Sequence, residues 1–496
     1  MTAPRLPVTR RRFIASAAAL AAAPHAQPLL AAGAAGAAGA AAPAARSGFD
    51  ADVIVLGAGL SGLQAALLLE ENGARVRVLE ARDRTGGRVH TLFDLPGHPE
   101  VGGNSFGAAY GRVLDRVRQF GLPLLDYSPR RAAHPQLEFN LGGEFIRRDR
   151  WASHPRNPFQ GALRERMPWE VAGGLIAANN PLAAPEDWLS PANARLDIPA
   201  FQYARQLGLT ELAAELAFSA NPYFGTSAHD VSVLMQLFND SFVKQQIAIS
   251  GSMLSVLGGN GKLTAAMAGA LRGDLQLRRE VVAISADADS VTVSCDDGSR
   301  YRARHCVCSL PFSVLRHLRI DPPLQGAQSL ALQTLPYMLN TLVFMVPRRR
   351  FWEEDGLAPA MWTDARCGTV MAQRFGADPD EVTGLVANPR GWAAEYLDRL
   401  PREEAMRRVV GEIERLRPAA KGALEAVAMH SWANDRHARG DWAVFAPGQV
   451  SAFGQHVSTA NGRLHFCGEH TARANRGMEG ALESGERAAL EVLGSL

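Results

Sequence analysis

Residues 51–63 have the sequence ADVIVLGAGLSGL, and this stretch decides the fold. Residues 51–56 (ADVIVL) form a short apolar run that predicts a buried parallel strand, and a G-x-G-x-x-G pattern follows at once. Residues 63–71 have helical spacing, and residues 75–80 (RVRVLE) predict a second strand that ends in an acid. Strand, glycines, helix and strand in this order predict a βαβ unit.

Each part of this unit suits a dinucleotide. Gly57 permits a tight turn, Gly59 lets the backbone approach a pyrophosphate, and Gly62 allows the helix to pack closely on the strand. The free N–H groups and the positive dipole end of the helix favour an anion there. The terminal acid, Glu80, is placed to accept hydrogen bonds from the hydroxyls of an adenosine ribose.

The segment that follows distinguishes between dinucleotides. Residues 80–88 have the pattern E-A-R-x-x-x-G-G-R, for which an NAD enzyme has no need. The pattern resembles the flavin-containing amine oxidase superfamily, which includes monoamine, polyamine and L-amino-acid oxidases and in which this segment continues along the diphosphate of FAD. The resemblance implies that Arg82 and Arg88 make charge-assisted contacts with that diphosphate, with Gly86 and Gly87 between them. A surface ion pair is the alternative for either arginine.

Further segments match the superfamily in its own order, so the resemblance covers nearly the whole chain after residue 50. Plain turns are the alternative for the first two of them. The third is the start of a predicted strand pair, where the resemblance implies that Val281 offers its backbone to the adenine. The segments are residues 100–105 (EVGGNS, with Gly103 in a turn beside the flavin), 258–263 (GGNGKL), 279–284 (REVVAI), 309–311 (SLP) and 321–323 (DPP).

The most specific match lies near the C-terminus, in residues 462–471 (GRLHFCGEHT) and 477–485 (GMEGALESG). A strand leads into a loop and the loop into a helix. The resemblance implies that the helix beginning near Met478 directs its N–H groups at N1 and the C2 carbonyl of the flavin. It also places Gly468 and Glu469 on the ribityl or phosphate side.

The resemblance further implies the oxidation of an amine. Hydride passes from carbon to flavin N5, and the resulting imine is hydrolysed, so the cofactor supplies the chemistry. Aromatic walls suit this reaction because they exclude water. Trp442, in residues 440–443 (GDWA), is the predicted cage wall. Trp432, in residues 430–433 (HSWA), is placed behind it, and packing in the core is an equal alternative.

Several positions depart from the superfamily pattern. The second cage aromatic of monoamine oxidases falls near Arg476 and Gly477, where this chain has no ring. Gly477 leaves room for a bulkier substrate, whereas Arg476 offers its charge to a substrate carboxylate, which would favour amino-acid oxidation. Asp441 stands where animal monoamine oxidases carry a flavin-linking cysteine, so we expect FAD to be bound non-covalently.

The electron acceptor is left open by another departure. Many superfamily members have a lysine near flavin N5, and the alignment puts Leu342 there, beside Asn340 and Thr341. The chain has no lysine between Lys262 and Lys421. Oxygen, with hydrogen peroxide as product, and a respiratory quinone or cytochrome are therefore both candidate acceptors.

The N-terminus predicts export. Residues 9–14 (TRRRFI) precede a short apolar stretch, a pattern that resembles the twin-arginine signal of the bacterial Tat pathway for folded proteins. Residues 31–45 are nearly all Ala and Gly and predict a spacer. We expect a periplasmic or secreted protein delivered by the Tat machinery.

Composition limits the remaining partners. With 52 basic and 50 acidic residues, the chain lacks the positive field that nucleic acid or an anionic membrane requires, so we expect a small-molecule amine or amino acid as partner. Its 5 cysteines have neither metal-ligand spacing nor a readable disulfide pattern, and no metal is predicted. A homodimer is left open.

The predicted fold class is α/β. A Rossmann-like FAD-binding domain of the glutathione-reductase type is interleaved with a substrate domain of mixed sheet and helices. We assign residues 1–47 to the signal and spacer, 48–125, 249–329 and 434–496 to the FAD-binding domain, and 126–248 and 330–433 to the substrate domain. The leading function is an amine oxidase. The alternatives are an L-amino-acid oxidase, an amine dehydrogenase and, less favoured, a flavoprotein without turnover.

Overall fold

Strands and helices alternate along the chain in the computed structural model, which describes residues 48–496. The twin-arginine motif, the Ala/Gly spacer and the rest of residues 1–47 lie outside the described residues. The strands are β1 Val53–Leu56, β2 Val76–Leu79, β3 His90–Thr91, β4 Glu100–Gly102, β5 Phe106–Gly107, β6 Leu124–Asp126, β7 Glu138–Leu141, β8 Glu144–Phe145, β9 Met253–Val256, β10 Asp274–Gln276, β11 Val281–Ala286, β12 Val291–Cys295, β13 Arg300–Ala303, β14 His305–Cys308, β15 Arg319–Asp321, β16 Thr341–Pro347, β17 Met361–Thr363, β18 Thr369–Gln373, β19 Gly384–Asn388, β20 Leu424–Ser431 and β21 Leu464–Phe466. The α-helices are α1 Leu60–Glu71, α2 Gly111–Gln119, α3 Ser128–Ala133, α4 Arg148–Trp151, α5 Pro168–Ala178, α6 Ala200–Gln206, α7 Glu211–Phe218, α8 Val233–Ile249, α9 Gly261–Gly269, α10 Phe312–Leu315, α11 Gly326–Thr334, α12 Phe351–Asp355, α13 Trp392–Asp398, α14 Arg402–Leu416, α15 Gln449–Phe453 and α16 Gly477–Leu493.

The first strand lies at the centre of a five-stranded parallel sheet with the order β10-β2-β1-β14-β21. All four residues of β1 are buried, because both faces of the sheet are covered. Val53 and Val55 contribute to the core beneath α1 and α16, whereas Ile54 and Leu56 contribute to the core on the other face. This period of two is what a parallel strand with two covered faces requires.

Two glycines let the helices of this sheet pack closely. A Cβ atom added to Gly62 would lie 2.1 Å from the carbonyl oxygen of Gly57. A Cβ atom added to Gly485, in α16, would lie 2.3 Å from the carbonyl oxygen of Ser61, in α1. No side chain fits at either distance, so both positions require glycine.

A second, seven-stranded sheet has the order β20-β16-β19-β18-β17-β7-β8 and is mixed, since β7 and β17 pair in parallel and the other neighbours are antiparallel. One of its faces packs against α14 through Val409 and Ile413. A four-stranded sheet, β13-β12-β11-β15, accompanies the parallel sheet. Parallel sheet, mixed sheet and helices together confirm the predicted α/β fold class.

The two large sheets draw on different parts of the chain. Every strand of the parallel sheet falls in the segments assigned to the FAD-binding domain, and every strand of the mixed sheet falls in those assigned to the substrate domain. The division into domains stays a prediction, since residues 47–496 pack as one compact unit. In the described part of the chain, no helix is long and apolar enough to cross a membrane.

Candidate active site

A cleft of about 1260 Å³, its open mouth included, lies at the carboxyl ends of β1, β2 and β14. This is where parallel α/β sheets bind ligands. The loop after β21 also lines the cleft. The predicted site residues that line the cleft are Gly57, Gly59, Glu80, Arg82, Gly86, Gly87, Arg88, Gly103, Val281, Trp442, Glu469, Gly477 and Met478. The predicted residues that do not line it are Gly62, Trp432, Gly468 and Arg476.

One end of the cleft has the geometry of a phosphate site. Gly57 has a φ of 93°, in the left-handed region that glycine tolerates, and it turns the chain from β1 into α1. Helix α1 begins after Gly59 with no side chain capping its first N–H groups. These uncapped donors and the positive end of the helix dipole favour a pyrophosphate at this position.

Glu80 connects the glycine turn with the end of β2. Its carboxylate is 4% exposed, and it accepts hydrogen bonds from the N–H of Ala58 (2.8 Å) and the N–H of Arg82 (2.9 Å). Each carboxylate oxygen retains a further lone pair on the cleft side of the fold. The predicted contact between Glu80 and a ribose stays a prediction.

The two arginines predicted beside the diphosphate both line the cleft, and both are paired with carboxylates. Nη2 of Arg82 lies 2.7 Å from Oδ1 of Asp435. Nη1 of Arg88 lies 2.8 Å from Oε1 of Glu469 and also donates to the carbonyl oxygen of Asp441. Burial acts to raise the pKa of Glu469, but the Arg88 guanidinium outweighs it and the pKa is lowered. Glu469 is therefore a fixed negative charge in the cleft.

The glycine-rich turn after β4 is held by a buried network. Glu100 accepts from the N–H of Asn260 (2.6 Å) and from the hydroxyl of Thr91 (2.7 Å). The Asn260 amide in turn donates to the carbonyl oxygen of Gly103 (2.7 Å). Gly103 has a φ of 64°, and an added Cβ would lie 2.8 Å from Cγ2 of Val89. The network thus joins two segments whose sequences also allowed plain turns.

At the far end of the cleft, α16 points its N-terminus inward. Gly477, Met478 and Ala481 line the cleft, and no side chain caps the first turn. Gly477 has a φ of 55°, and an added Cβ would meet nothing within 4 Å, so the space before the helix is open. Gly468 lies behind this end, where its N–H donates to the hydroxyl of Ser484 (2.9 Å).

Trp442 forms an aromatic wall with residues that the sequence did not indicate. Its ring centroid lies 5.4 Å from that of Tyr223, with 32° between the planes, and 6.5 Å from that of Phe224. Tyr223 is 54% exposed and lies in the loop between α7 and α8. Trp432, in contrast, is fully buried, and its indole N–H donates to the carbonyl oxygen of Val101 (3.2 Å) behind the glycine-rich turn.

Two polar residues beside Trp442 were not predicted as site residues either. Asn340 donates from Nδ2 to Oδ2 of Asp441 (2.7 Å). Burial raises the pKa of Asp441 to about 6, although Asn340 and Arg88 act to lower it. Arg390, just after β19, places its guanidinium carbon 5.1 Å from the centroid of the Tyr223 ring. The sequence indicated Asn340 only by its place beside Leu342, and no local pattern marks Arg390, because the fold alone brings Arg390 to Tyr223.

The remaining predicted positions flank the cleft. Val281 lines it beside Arg279 and Glu280, where an irregularity between Val281 and Ala283 interrupts the pairing of β11 with β12. Arg476 does not line the cleft, since its Nη1 donates to Oδ1 of Asn239 (2.9 Å) and its guanidinium lies over Phe224. The side chains of Phe218, Met235, Phe238 and Phe242 are buried.

Comparisons with known proteins agree with this geometry. Flavin-containing amine oxidase B of Cavia porcellus is 28% identical over 487 residues, covering 90% of this chain and 86% of that protein. The L-amino-acid oxidase of Bothrops atrox is 26% identical over 455 residues, covering 89% and 88%. Cyclohexylamine oxidase from Brevibacterium oxydans has the same fold, with a TM-score of 0.73 at 22% identity over 90% of this chain and 99% of that one.

The family model for flavin-containing amine oxidoreductases matches residues 60–493, a span that includes nearly all of the cleft. The chain is therefore a member of the flavin-containing amine oxidoreductase family, whose enzymes use FAD.

Proposed function

We propose that this enzyme oxidises a primary or secondary amine, or an amino acid, and that it binds FAD without a covalent link. One observation carries the proposal: a single cleft joins a phosphate-binding turn at Gly57 to an uncapped helix end at Met478, beside Trp442. The length and chemistry of such a cleft suit a dinucleotide whose reactive ring lies next to an aromatic wall.

The residues present fit FAD at both ends. The α1 N-terminus, Arg82 and Arg88 would hold the diphosphate, and Glu80 would hold the ribose. The N-terminus of α16 would face the flavin, because its uncapped N–H groups favour negative charge. When bound, FAD would supply the acceptor for the hydride removed from the carbon next to the amine nitrogen.

The chain's own side chains would orient the substrate. Trp442 and Tyr223 form an apolar wall that excludes water from the reacting carbon. The open space at Gly477 admits a substituent that a ring at this position would exclude. Burial raises the pKa of Asp441 to about 6, so this carboxyl takes up a proton at a higher pH than an exposed one.

The absence of a cysteine from the lining of the cleft supports non-covalent binding. Asp441 has no nucleophilic sulfur, and the described cysteines, Cys295, Cys306, Cys308, Cys367 and Cys467, are all buried. None of the five lines the cleft.

Anaerobic reduction of the bound flavin by a panel of amines and amino acids tests this function. We expect the purified enzyme to be yellow, to lose its visible flavin absorbance with at least one class of substrate, and to release intact FAD on acid precipitation. A flavin that no amine or amino acid reduces would contradict the enzymatic proposal, and flavin that stays with the precipitate would contradict non-covalent binding.

A dehydrogenase is the second candidate, favoured by the surroundings of Leu342. This residue stands where many family members are expected to carry a lysine, and here it packs in an apolar cluster with Val101 and Trp432. A positive charge at that place would assist transfer of electrons to oxygen. We therefore also propose a quinone or a cytochrome as acceptor, in keeping with the export that we propose for the chain.

A further inference from the structure

We propose that Arg390 selects the substrate by charge: it binds a carboxylate carried by the amine and disfavours a substrate with a second cationic group. The inference rests on the proposed function, because it assigns the substrate class of the same site. It concerns a residue that no motif in the sequence indicates.

The guanidinium of Arg390 lacks a partner. Among residues 48–496 it makes neither a hydrogen bond nor an ion pair, and its Nε atom is buried without an acceptor. A guanidinium carries five N–H donors and remains charged at every physiological pH. Leaving the buried Nε of a charged group without an acceptor is costly, so we infer that an anion from outside the protein completes the site.

The position of Arg390 puts that anion next to the reacting end of the cleft. Its guanidinium carbon lies 5.1 Å from the Tyr223 ring centroid, and the Tyr223 ring lies 5.4 Å from Trp442, which lines the cleft. A substrate held against Trp442 and Tyr223 is therefore within a few ångströms of the guanidinium. The backbone of Arg390 is fixed by its pairing with Asn340, the residue just before β16.

Asp441 attracts this charge but does not contact it. It makes no ion pair with Arg390, and its Oδ2 is already taken by Asn340. Burial lowers the pKa of Arg390 and raises that of Asp441, and the attraction between the two groups opposes both shifts without overcoming them.

Arg476 is less suited to the same task. Its Nη1 donates to Asn239 at 2.9 Å, and its guanidinium carbon lies 4.7 Å from the centroid of the Phe224 ring. Its charge nevertheless adds to that of Arg390, because the two guanidinium groups lie over neighbouring rings of the aromatic wall, Phe224 and Tyr223. The two guanidinium groups therefore place positive charge beside the aromatic wall, against the negative charges of Glu469 and Asp441, and they disfavour a second cationic group there.

Four compounds with the same carbon chain isolate this effect. Pentylamine has one amine, norleucine adds a carboxylate at the reacting carbon, ε-aminocaproate adds one at the far end, and cadaverine adds a second amine. Anaerobic reduction of the holoenzyme with each gives an apparent dissociation constant and a limiting rate. We expect one carboxylated compound to bind more tightly than pentylamine and cadaverine to bind most weakly. The two carboxylated compounds distinguish an α-carboxylate from a distal one.

The variant Arg390→Gln removes the charge and keeps a polar, though shorter, side chain. We expect the preference for the carboxylated compound over pentylamine to fall by about 30-fold, and cadaverine to bind better than it does to the wild-type enzyme. Arg390→Lys should retain part of the preference. Arg476→Gln is the matched comparison, and a loss of preference there instead of in Arg390→Gln would overturn the assignment.

Two further results would also overturn it. One is an unchanged preference in Arg390→Gln, and the other is an equal change for all four compounds, which would place the effect on the flavin. Binding of valerate, followed by the flavin difference spectrum, tests the anion site without turnover. If no compound reduced the flavin yet wild-type enzyme bound valerate more tightly than Arg390→Gln, the function would fail and the anion site would stand.

Discussion

A single carboxylate, that of Glu80, holds the turn at which the cleft begins. Replacing it by alanine would leave the N–H groups of Ala58 and Arg82 without their acceptors in a buried place. Each such loss costs about 1–3 kcal/mol. We expect Glu80→Ala to retain much less FAD than the wild-type protein, as measured by the ratio of flavin to protein after gel filtration.

Glu80→Gln serves as the control, because its amide keeps one oxygen acceptor. Thermal unfolding of the flavin-free proteins separates a contact with the ribose from a purely structural role. If Glu80 binds the ribose, FAD affinity falls by more than the loss of stability of the apoprotein accounts for. An unchanged flavin content in Glu80→Ala would remove Glu80 from the site.

Asp441 predicts a pH dependence of stability. Burial raises its pKa from 3.8 to about 6, so between these pH values the folded state holds a proton that the unfolded state has lost. Stability of the apoprotein therefore falls as the pH rises through this window, and the penalty, at most about 3 kcal/mol, persists above it. Asp441→Asn keeps an oxygen for Asn340 and should remove the part of this fall in stability that Asp441 causes. Urea unfolding at a series of pH values measures it.

Glu100 provides an internal reference in the same titration. Burial raises its pKa from 4.5 to about 7, and it is unchanged in Asp441→Asn. The variant should therefore still lose stability as the pH approaches 7. A variant with the same profile as the wild-type protein between pH 3.8 and 6 would show that Asp441 is not protonated in the folded state.

At the scale of the secondary-structure element, the joint between β1 and α1 tolerates no side chain. Gly62→Ala would place a methyl group 2.1 Å from the Gly57 carbonyl oxygen, and the turn would have to move away from the pyrophosphate position. We expect destabilisation by about 1–3 kcal/mol or more and a loss of FAD, measured by thermal unfolding and by flavin content.

Gly411→Ala is the matched control for that substitution. Gly411 lies within α14, and an added Cβ meets nothing within 4 Å. Alanine at this exposed position of α14 should stabilise the protein by about 0.5–1 kcal/mol and leave the flavin content unchanged. If both variants behaved alike, the close approach at Gly62 would not limit the fold.

The residues at the start of β16 lead to a prediction of how the reduced enzyme is reoxidised. Leu342 is 8% exposed and packs with Val101 and Trp432, so this element offers no cation towards the flavin. We expect substrate-reduced enzyme to react slowly with oxygen and faster with a quinone or a dye. Stopped-flow mixing with aerated buffer measures this, and reoxidation by oxygen that outpaces turnover with the dye would exclude the dehydrogenase.

On the scale of the whole molecule, some parts of the site follow from local sequence and others do not. The turn at Gly57 was predictable because its geometry is imposed by neighbouring residues, and the strands at Val53–Leu56 and Val76–Leu79 lie where the apolar runs predict them. Tyr223 and Arg390 were not predictable. Each lies near Trp442 only because two distant segments fold together, and neither has a pattern of its own.

The extent of the cleft along the chain bears on how the protein is exported. Its lining extends from Gly57 to Ala481, so a cleft able to bind FAD exists only after the whole chain has folded. A route that carries folded proteins suits this architecture, and residues 9–14 resemble the signal for such a route. We therefore expect Arg10→Lys combined with Arg11→Lys to retain flavin-loaded enzyme in the cytoplasm.

Fractionation of cells that express the double variant measures this outcome, with Arg12→Lys as the control because Arg12 lies beside the pair and not in it. The control should reach the periplasm, since the spacing of the twin arginines from the apolar stretch is unchanged. Both proteins should carry the same amount of FAD, because the substitutions lie far in sequence from every residue of the cleft. Periplasmic delivery of the double variant would show that export uses another signal, whereas retention of an enzyme without flavin would show that FAD is loaded after export.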